Sequence, residues 1–136
     1  MRKRFDILAE QNLSSHILIE LKSPNAEIFS VKENRTINDG ITTEYSLSPD
    51  LARAIPQILG YRKWYENARQ EEIQALGIDK KRISKCIIVV GTRKNDPVWK
   101  ENLDSLTSSL NIELCTYTDL IDRLDNTIMN LEQSLV

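Results

Sequence analysis

The sequence predicts an α/β domain built around a mixed sheet, and three features carry that expectation. The run RISKCIIVVGT (82–92) is continuously β-branched, as in a strand covered on both faces. Two short extended runs, RFDILAEQ (4–11) and HILIELK (16–22), flank the polar stretch NLSS and read as a β-hairpin. A long segment, SPDLARAIPQILGYRKWYENARQEEIQAL (48–76), repeats Leu51, Ile55, Ile58 and Leu59 at helical spacing. Strands and helices that alternate in this way pack as helices against a sheet.

Taken in order, the first hairpin has its loop at residues 11–15, which pairs Glu10 with His16. AEIFSVKEN and ITTEYSL flank the turn-like NDG (38–40) and predict a second, peripheral hairpin. The long helix starts from a Ser48 N-cap, with Pro49 at its first position and Asp50 after it. Pro56 and Gly60 lie inside that helix and are expected to bend or weaken it, since proline lacks an N–H and crowds the preceding turn. A further helical piece from Glu71 to Leu76 stops at Gly77. After the strand at 82–92 come a helix from Asp96 to Leu110, a strand over IELCTY (112–117) and a last helix capped by Thr118. The apolar stripe of that helix is Leu120, Ile121, Leu124, Ile128 and Leu131.

A length of 136 residues suits one domain, 1–136. Hydrophobic residues make up 40% and charged residues 28%, ordinary for a globular chain. Net charge is −2, so any phosphate-backbone contact must come from local clusters: Met1-Arg2-Lys3-Arg4, Lys80-Lys81-Arg82 with Lys85, and Arg93-Lys94. Cys86 and Cys115 sit in strand-like stretches, apart from each other and from the lone His16, and are expected as buried free thiols in a reducing compartment. No secretory signal or membrane-length apolar run occurs, so the expected location is the cytoplasm.

Two formal charges interrupt the strand HILIELK. Side chains alternate along a strand, so Leu18, Glu20 and Lys22 share one face, and Ile17, Ile19 and Leu21 share the other. In the register set by Glu10 and His16, Asp6 lies across from Glu20, and a one-residue slip would destroy that facing. Two facing carboxylates repel unless a cation lies between them. Oxygen ligands alone favour a hard divalent ion such as Mg²⁺ or Mn²⁺, completed by water and phosphate oxygens. Lys22 beside that ion suits metal-assisted phosphodiester hydrolysis, where an ammonium orients the water and stabilises charge building at phosphorus. Gln57 and Tyr61, four apart on the long helix, share a face and are placed to touch the lysine, a water or a DNA phosphate.

Asp6, then Glu20-Leu21-Lys22, then Gln57-Ile58-Leu59-Gly60-Tyr61 resembles the PD-(D/E)xK nuclease superfamily. More narrowly, IELKSPNAEIF, LSPDLARAIPQILGYRKWY and IIVVGT look like the nuclease domain of the Shedu anti-phage defence family, over about residues 4–124. The resemblance implies a restriction-endonuclease-like mixed sheet flanked by helices, without the usual N-terminal helix and first strand. It also implies that the chain is the C-terminal part of a longer protein. The function implied is a metal-dependent DNA endonuclease: Asp6 and Glu20 would hold Mg²⁺ or Mn²⁺, Lys22 would act on the nucleophilic water, and Gln57 and Tyr61 would support the site. The partners implied are DNA, further copies of the chain in a homo-oligomer and other domains of a longer chain, with no membrane. Arg2, Lys3, Arg4, Arg53, Arg62 and Lys63, with Arg69, are candidate phosphate contacts.

Two other readings compete. A nuclease fold without activity, serving as an assembly or sensing module, predicts no cation binding. An unrelated α/β protein-binding domain predicts Glu20 and Lys22 as a surface ion pair, worth only about 0–1 kcal/mol. Other enzyme classes lack their motifs: no phosphate-binding glycine loop, no Gly-x-Ser-x-Gly, and one histidine.

Overall fold

The computed structural model describes residues 6–38 and 40–134. β1 (Ile7–Asn12) and β2 (Ser15–Leu21) form the first hairpin, and β3 (Phe29–Thr36) and β4 (Gly40–Leu47) the second. α1 (Pro49–Asn67) and α2 (Gln70–Gln74) precede β5 (Arg82–Val89), which is followed by α3 (Pro97–Ser109), β6 (Glu113–Cys115) and α4 (Tyr117–Ser134). One sheet has the order β1-β2-β5-β6, and β3 and β4 form a separate two-stranded sheet. β1 runs antiparallel to β2, whereas β2, β5 and β6 are parallel. The sheet is therefore mixed, as the alternation of elements predicts.

Parallel strands need a crossover, and α1 supplies the one between β2 and β5. Its apolar side buries Leu51, Ala54, Ile55 and Ile58 against Leu18 of β2 and Cys86 and Ile88 of β5. Leu59, expected in that stripe, is exposed, because it lies at the stripe's margin, about 100° round from Ile58. α1 is continuous from Pro49 to Asn67 across Pro56, whose residue is exposed, so the proline does not end the helix. Ser48 caps the helix as expected, its Oγ accepting from the Leu51 N–H at 3.1 Å.

The first hairpin keeps the expected register with a tighter loop. Glu10 pairs with His16 and Ile7 with Ile19, but the turn is only Leu13-Ser14, with a bulge between Glu10 and Asn12. The extra residue, Gln11, accepts hydrogen bonds through its Oε1 from the Ser15 and Ser84 hydroxyls. A bulge of one residue absorbs the shortened loop and leaves the facing of Asp6 and Glu20 intact.

Thr116, not Thr118, caps α4. The Asp119 N–H donates to Thr116 Oγ1 at 3.1 Å, and the Thr116 N–H donates to Asp119 Oδ2 at 3.2 Å, a reciprocal capping box. Thr118 Oγ1 instead accepts from the Arg93 N–H. The expected apolar stripe of α4 is present, but every residue in it is exposed.

Lys80, Lys81, Lys85, Arg93 and Lys94 of the basic clusters all have partners within the fold. Lys80 donates to the carbonyls of Glu66 and Ala68, at the C-terminal end of α1, where backbone oxygens lack helix partners. Lys81 pairs with Glu10, Lys85 with Glu113, Arg93 with Asp119 and Asp122, and Lys94 with Glu27. Both cysteines are buried and unpaired with each other, and burial is the main cause that pushes both thiols above their ordinary pKa. They are packing residues of β5 and β6. Among the described residues, no helix is long and apolar enough to cross a membrane.

Tyr65 joins α1 to the strands beside it. Its ring is buried, its hydroxyl lies 3.1 Å from His16 Nδ1, and it accepts from the Lys81 N–H at 2.9 Å. Tyr65→Phe keeps the ring and strands both partners, so we expect a loss of about 1–3 kcal/mol, read as a lower thermal midpoint with an unchanged circular dichroism spectrum.

Candidate active site

Asp6, Glu20, Lys22, Gln57 and Tyr61 meet at one edge of the sheet, where β2, β5 and β6 end and antiparallel β1 begins. The carboxyl ends of parallel strands are where α/β sheets open to ligands, because the chain turns away there. The face of β2 that carries the charges is the better buried one. Leu18 and Glu20 are 1% and 5% exposed, while Ile17 and Ile19 on the other face are only half-buried and Leu21 is exposed. α1 lies over the charged face, which is why Gln57 of α1 reaches Lys22.

Each member is held by a different kind of restraint. The Lys22 N–H donates to the Val89 carbonyl at 2.8 Å, extending the β2–β5 pairing one residue beyond β2. Its ammonium lies 3.4 Å from Glu20 Oε1 and 3.4 Å from Gln57 Oε1. Gln57 Nε2 in turn donates to the Tyr61 hydroxyl at 2.8 Å. Asp6 Oδ2 accepts from the Leu21 N–H at 2.7 Å, which ties the start of β1 to the residue between Glu20 and Lys22.

Glu20 and Glu113 each have a buried Oε2 without a hydrogen-bond partner among the described residues, but Glu113 Oε2 has the Lys85 ammonium at 3.0 Å and Glu20 Oε2 faces Asp6. Buried carboxylate oxygens nearly always have a partner. The pKa of Glu20 is raised above 4.5, by burial first and then by the Asp6 charge, with Lys22 opposing both. A buried, orphaned oxygen facing a second carboxylate is a donor set for a hard cation, and Asp6 with Glu20 fits Mg²⁺ or Mn²⁺ on that ground. Among the described residues there is no group of three or more His, Cys, Asp or Glu side chains, so these two carboxylates would leave the remaining positions to water and substrate oxygens. The same burial removes the reading of Glu20 and Lys22 as a surface ion pair.

The raised pKa has a consequence for stability. Between 4.5 and the higher folded value, the folded protein holds a proton that the unfolded chain releases. The penalty from Glu20 is thus absent below 4.5 and full above the folded pKa, and stability from this group falls as pH rises through that interval. In cation-free buffer we expect Glu20→Gln to flatten this part of the pH profile, as followed by thermal melts from mildly acidic to neutral pH.

Sequence reasoning missed Tyr117. It is the first residue of α4, its hydroxyl donates to the Lys22 carbonyl, and its own pKa is raised by burial and by Asp6. The available signal was positional: a polar aromatic just past a strand parallel to β2 must emerge at the same edge as Lys22. The other basic candidates lie elsewhere. Arg53 pairs with Asp50, Arg62 bonds Glu66 and the Ile83 carbonyl, and Lys63 lines a shallow cavity with Trp64, Asn67 and Arg69. Arg69 itself pairs with Glu72. Arg2, Lys3 and Arg4 lie outside the described residues.

A family model described as Shedu protein SduA, C-terminal, matches residues 3–121 and so covers the whole site. No curated protein matches the chain.

Proposed function

From the premise that the chain belongs to the Shedu SduA C-terminal family, we propose that it is the metal-dependent DNA endonuclease domain of an anti-phage defence protein. The fold would then be a restriction-endonuclease-like α/β sheet. One observation carries the reading: Glu20 Oε2 is buried without a hydrogen-bond partner beside Asp6 and Lys22, whereas the comparable Oε2 of Glu113 has the Lys85 ammonium at 3.0 Å. Asp6 and Glu20 would hold Mg²⁺ or Mn²⁺. When bound, such a cation supplies Lewis acidity to a phosphate oxygen and lowers the pKa of water.

The chain's own groups do the rest. Hydrolysis adds a water oxygen to phosphorus and breaks one P–O ester bond, and the proton lost by the attacking water passes through solvent to the leaving alkoxide. The Lys22 ammonium, restrained by Glu20 and Gln57, donates to the water or to a phosphate oxygen and stabilises the charge that develops there. Gln57 fixes the lysine, and the Tyr61 hydroxyl, which accepts from Gln57, keeps its own hydrogen to donate to a phosphate. Tyr117 holds the Lys22 backbone from the other side. Nothing in this set reads a base edge, so cleavage without a sequence preference is expected.

The test is incubation of linear, supercoiled and single-stranded DNA with the chain in Mg²⁺ or Mn²⁺. Cutting that chelator abolishes supports the reading. Intact DNA in every condition favours the silent assembly or sensing module instead.

A further inference from the structure

α1 continues beyond the candidate site into an open cleft. Gln57, Tyr61 and Trp64 follow one another at steps of four and three residues, so all three lie on one side of the helix. From Gln57 to Trp64 the helix axis advances about 10 Å. There Gly60, Lys63, Trp64, Asn67, Ala68 and Arg69 line a cavity of about 480 Å³. Gly60 keeps it open: a Cβ at that position would meet nothing within 4 Å.

The polar groups of this cleft are not used by the fold. Among the described residues, the Lys63 ammonium, the Trp64 indole N–H and the Asn67 side-chain amide make no hydrogen bond or ion pair. Lys80, Lys81 and Lys85, by contrast, are all bonded internally. Arg69 pairs only with Glu72, at 3.5 Å and with both side chains exposed, a contact worth little and easily exchanged. Trp64 is half-buried: it packs against the core, which fixes the ring, and it also lines the cleft. A fixed aromatic ring beside an uncommitted cation suits a single nucleic-acid strand, where the ring stacks on a base and the cation meets a phosphate. In a duplex the neighbouring pairs cover both faces of every internal base, so the ring selects a base that has left the stack. Stacking tolerates any base, in keeping with a site that reads no base edge.

We propose that this cleft is a subsite for an unpaired nucleotide of the DNA strand being cut, with its base stacked on Trp64 and its phosphate held by Lys63. At about 3.4 Å of rise per stacked nucleotide, the distance along α1 from Gln57 places it about three nucleotides from the phosphate at Lys22. The substrate class is then DNA with single-stranded character beside the cut: a single strand, an overhang or a frayed end. The proposal rests on the nuclease reading of Glu20 and Lys22.

The test is binding of a labelled oligothymidylate to the whole chain, read by fluorescence anisotropy beside a long duplex. Both are measured in Ca²⁺, which fills oxygen sites in place of Mg²⁺. Trp64→Ala should weaken the oligothymidylate about tenfold and leave the duplex unchanged, and Trp64→Phe should restore most of the loss. Lys63→Gln should weaken both and lower the salt slope by about one. Gly60→Leu fills the cleft from within the helix without meeting another atom at its Cβ. It should weaken the oligothymidylate while the thermal midpoint holds or rises, which separates loss of the subsite from loss of the fold. Wild-type affinity for the oligothymidylate in Trp64→Ala or Gly60→Leu overturns the subsite and leaves the nuclease reading standing, as does an equal loss on the duplex. A wild type that binds neither DNA overturns both. Trp64-dependent binding supports the subsite whether or not Mg²⁺ then brings cutting, and absent cutting would count against Glu20 and Lys22 alone.

Discussion

Lys22→Ala is expected to lower DNA cleavage by about 10²–10³-fold, the cost of removing one preorganised donor from a developing charge. The size of the loss follows from how the ammonium is held. Its backbone is fixed by the Val89 carbonyl on one side and the Tyr117 hydroxyl on the other, and its side chain by Glu20 and Gln57. Alanine keeps the backbone bonds and deletes only the charge. The side chain's two polar contacts are long, at 3.4 Å each, so the fold does not depend on them. Lys22 also opposes the rise in Glu20's pKa, so in the variant Glu20 keeps its proton to higher pH. Rates should therefore be compared at saturating cation, where the loss should persist. Wild-type cutting by the variant would remove Lys22 from the mechanism.

Gly91→Ala is expected to damage both fold and site. Gly91 has φ +63°, a left-handed conformation that costs an L-residue about 1–2 kcal/mol. A Cβ there would lie 2.5 Å from the Ala26 carbonyl oxygen, a backbone atom that has no rotamer to move aside. Gly91 also donates to the Ser23 carbonyl and accepts from the Tyr117 N–H, so it joins the loop after Lys22 to the start of α4. Relieving the clash pushes that loop, and Lys22 with it, away from Gln57. We expect a loss of about 2–4 kcal/mol in total, within the range for strained or overpacked sites. A thermal melt and a cleavage assay should both register it. A variant with the wild-type midpoint would mean that the loop over residues 23–26 yields without cost.

The geometry of the candidate site was legible in the sequence because it depends on alternation and register, which short motifs fix. Placing Glu10 against His16 was enough to bring Asp6 opposite Glu20, and the helical spacing of Gln57 and Tyr61 put both on the side of α1 that reaches Lys22. The bulge at Gln11 was not legible, since it depends on contacts with Ser84, far along the chain. Nor was Leu59's exposure, because an apolar residue at the margin of a stripe carries no mark of which side it turns to. Thr116 and Thr118 are both acceptable caps by type, and only Asp119's reach back to Thr116 decides between them. Tyr117 escaped notice because its role is set by sheet order, a property of strand pairing that no local window contains. The stripe on α4 was read correctly as a stripe, but a periodicity says only that a face wants cover and not that the same chain supplies it.

The central claim is that the charges interrupting β2 exist to hold a cation beside a lysine. Calorimetric titration of Mn²⁺ into the whole chain, without DNA, tests it most directly, with Glu20→Gln and Asp6→Asn titrated beside the wild type. The account predicts one saturable site in the wild type, strongly weakened in both variants, with affinity falling as Glu20 becomes protonated in acid. Equal binding by wild type and Glu20→Gln, or no binding by either, would contradict it.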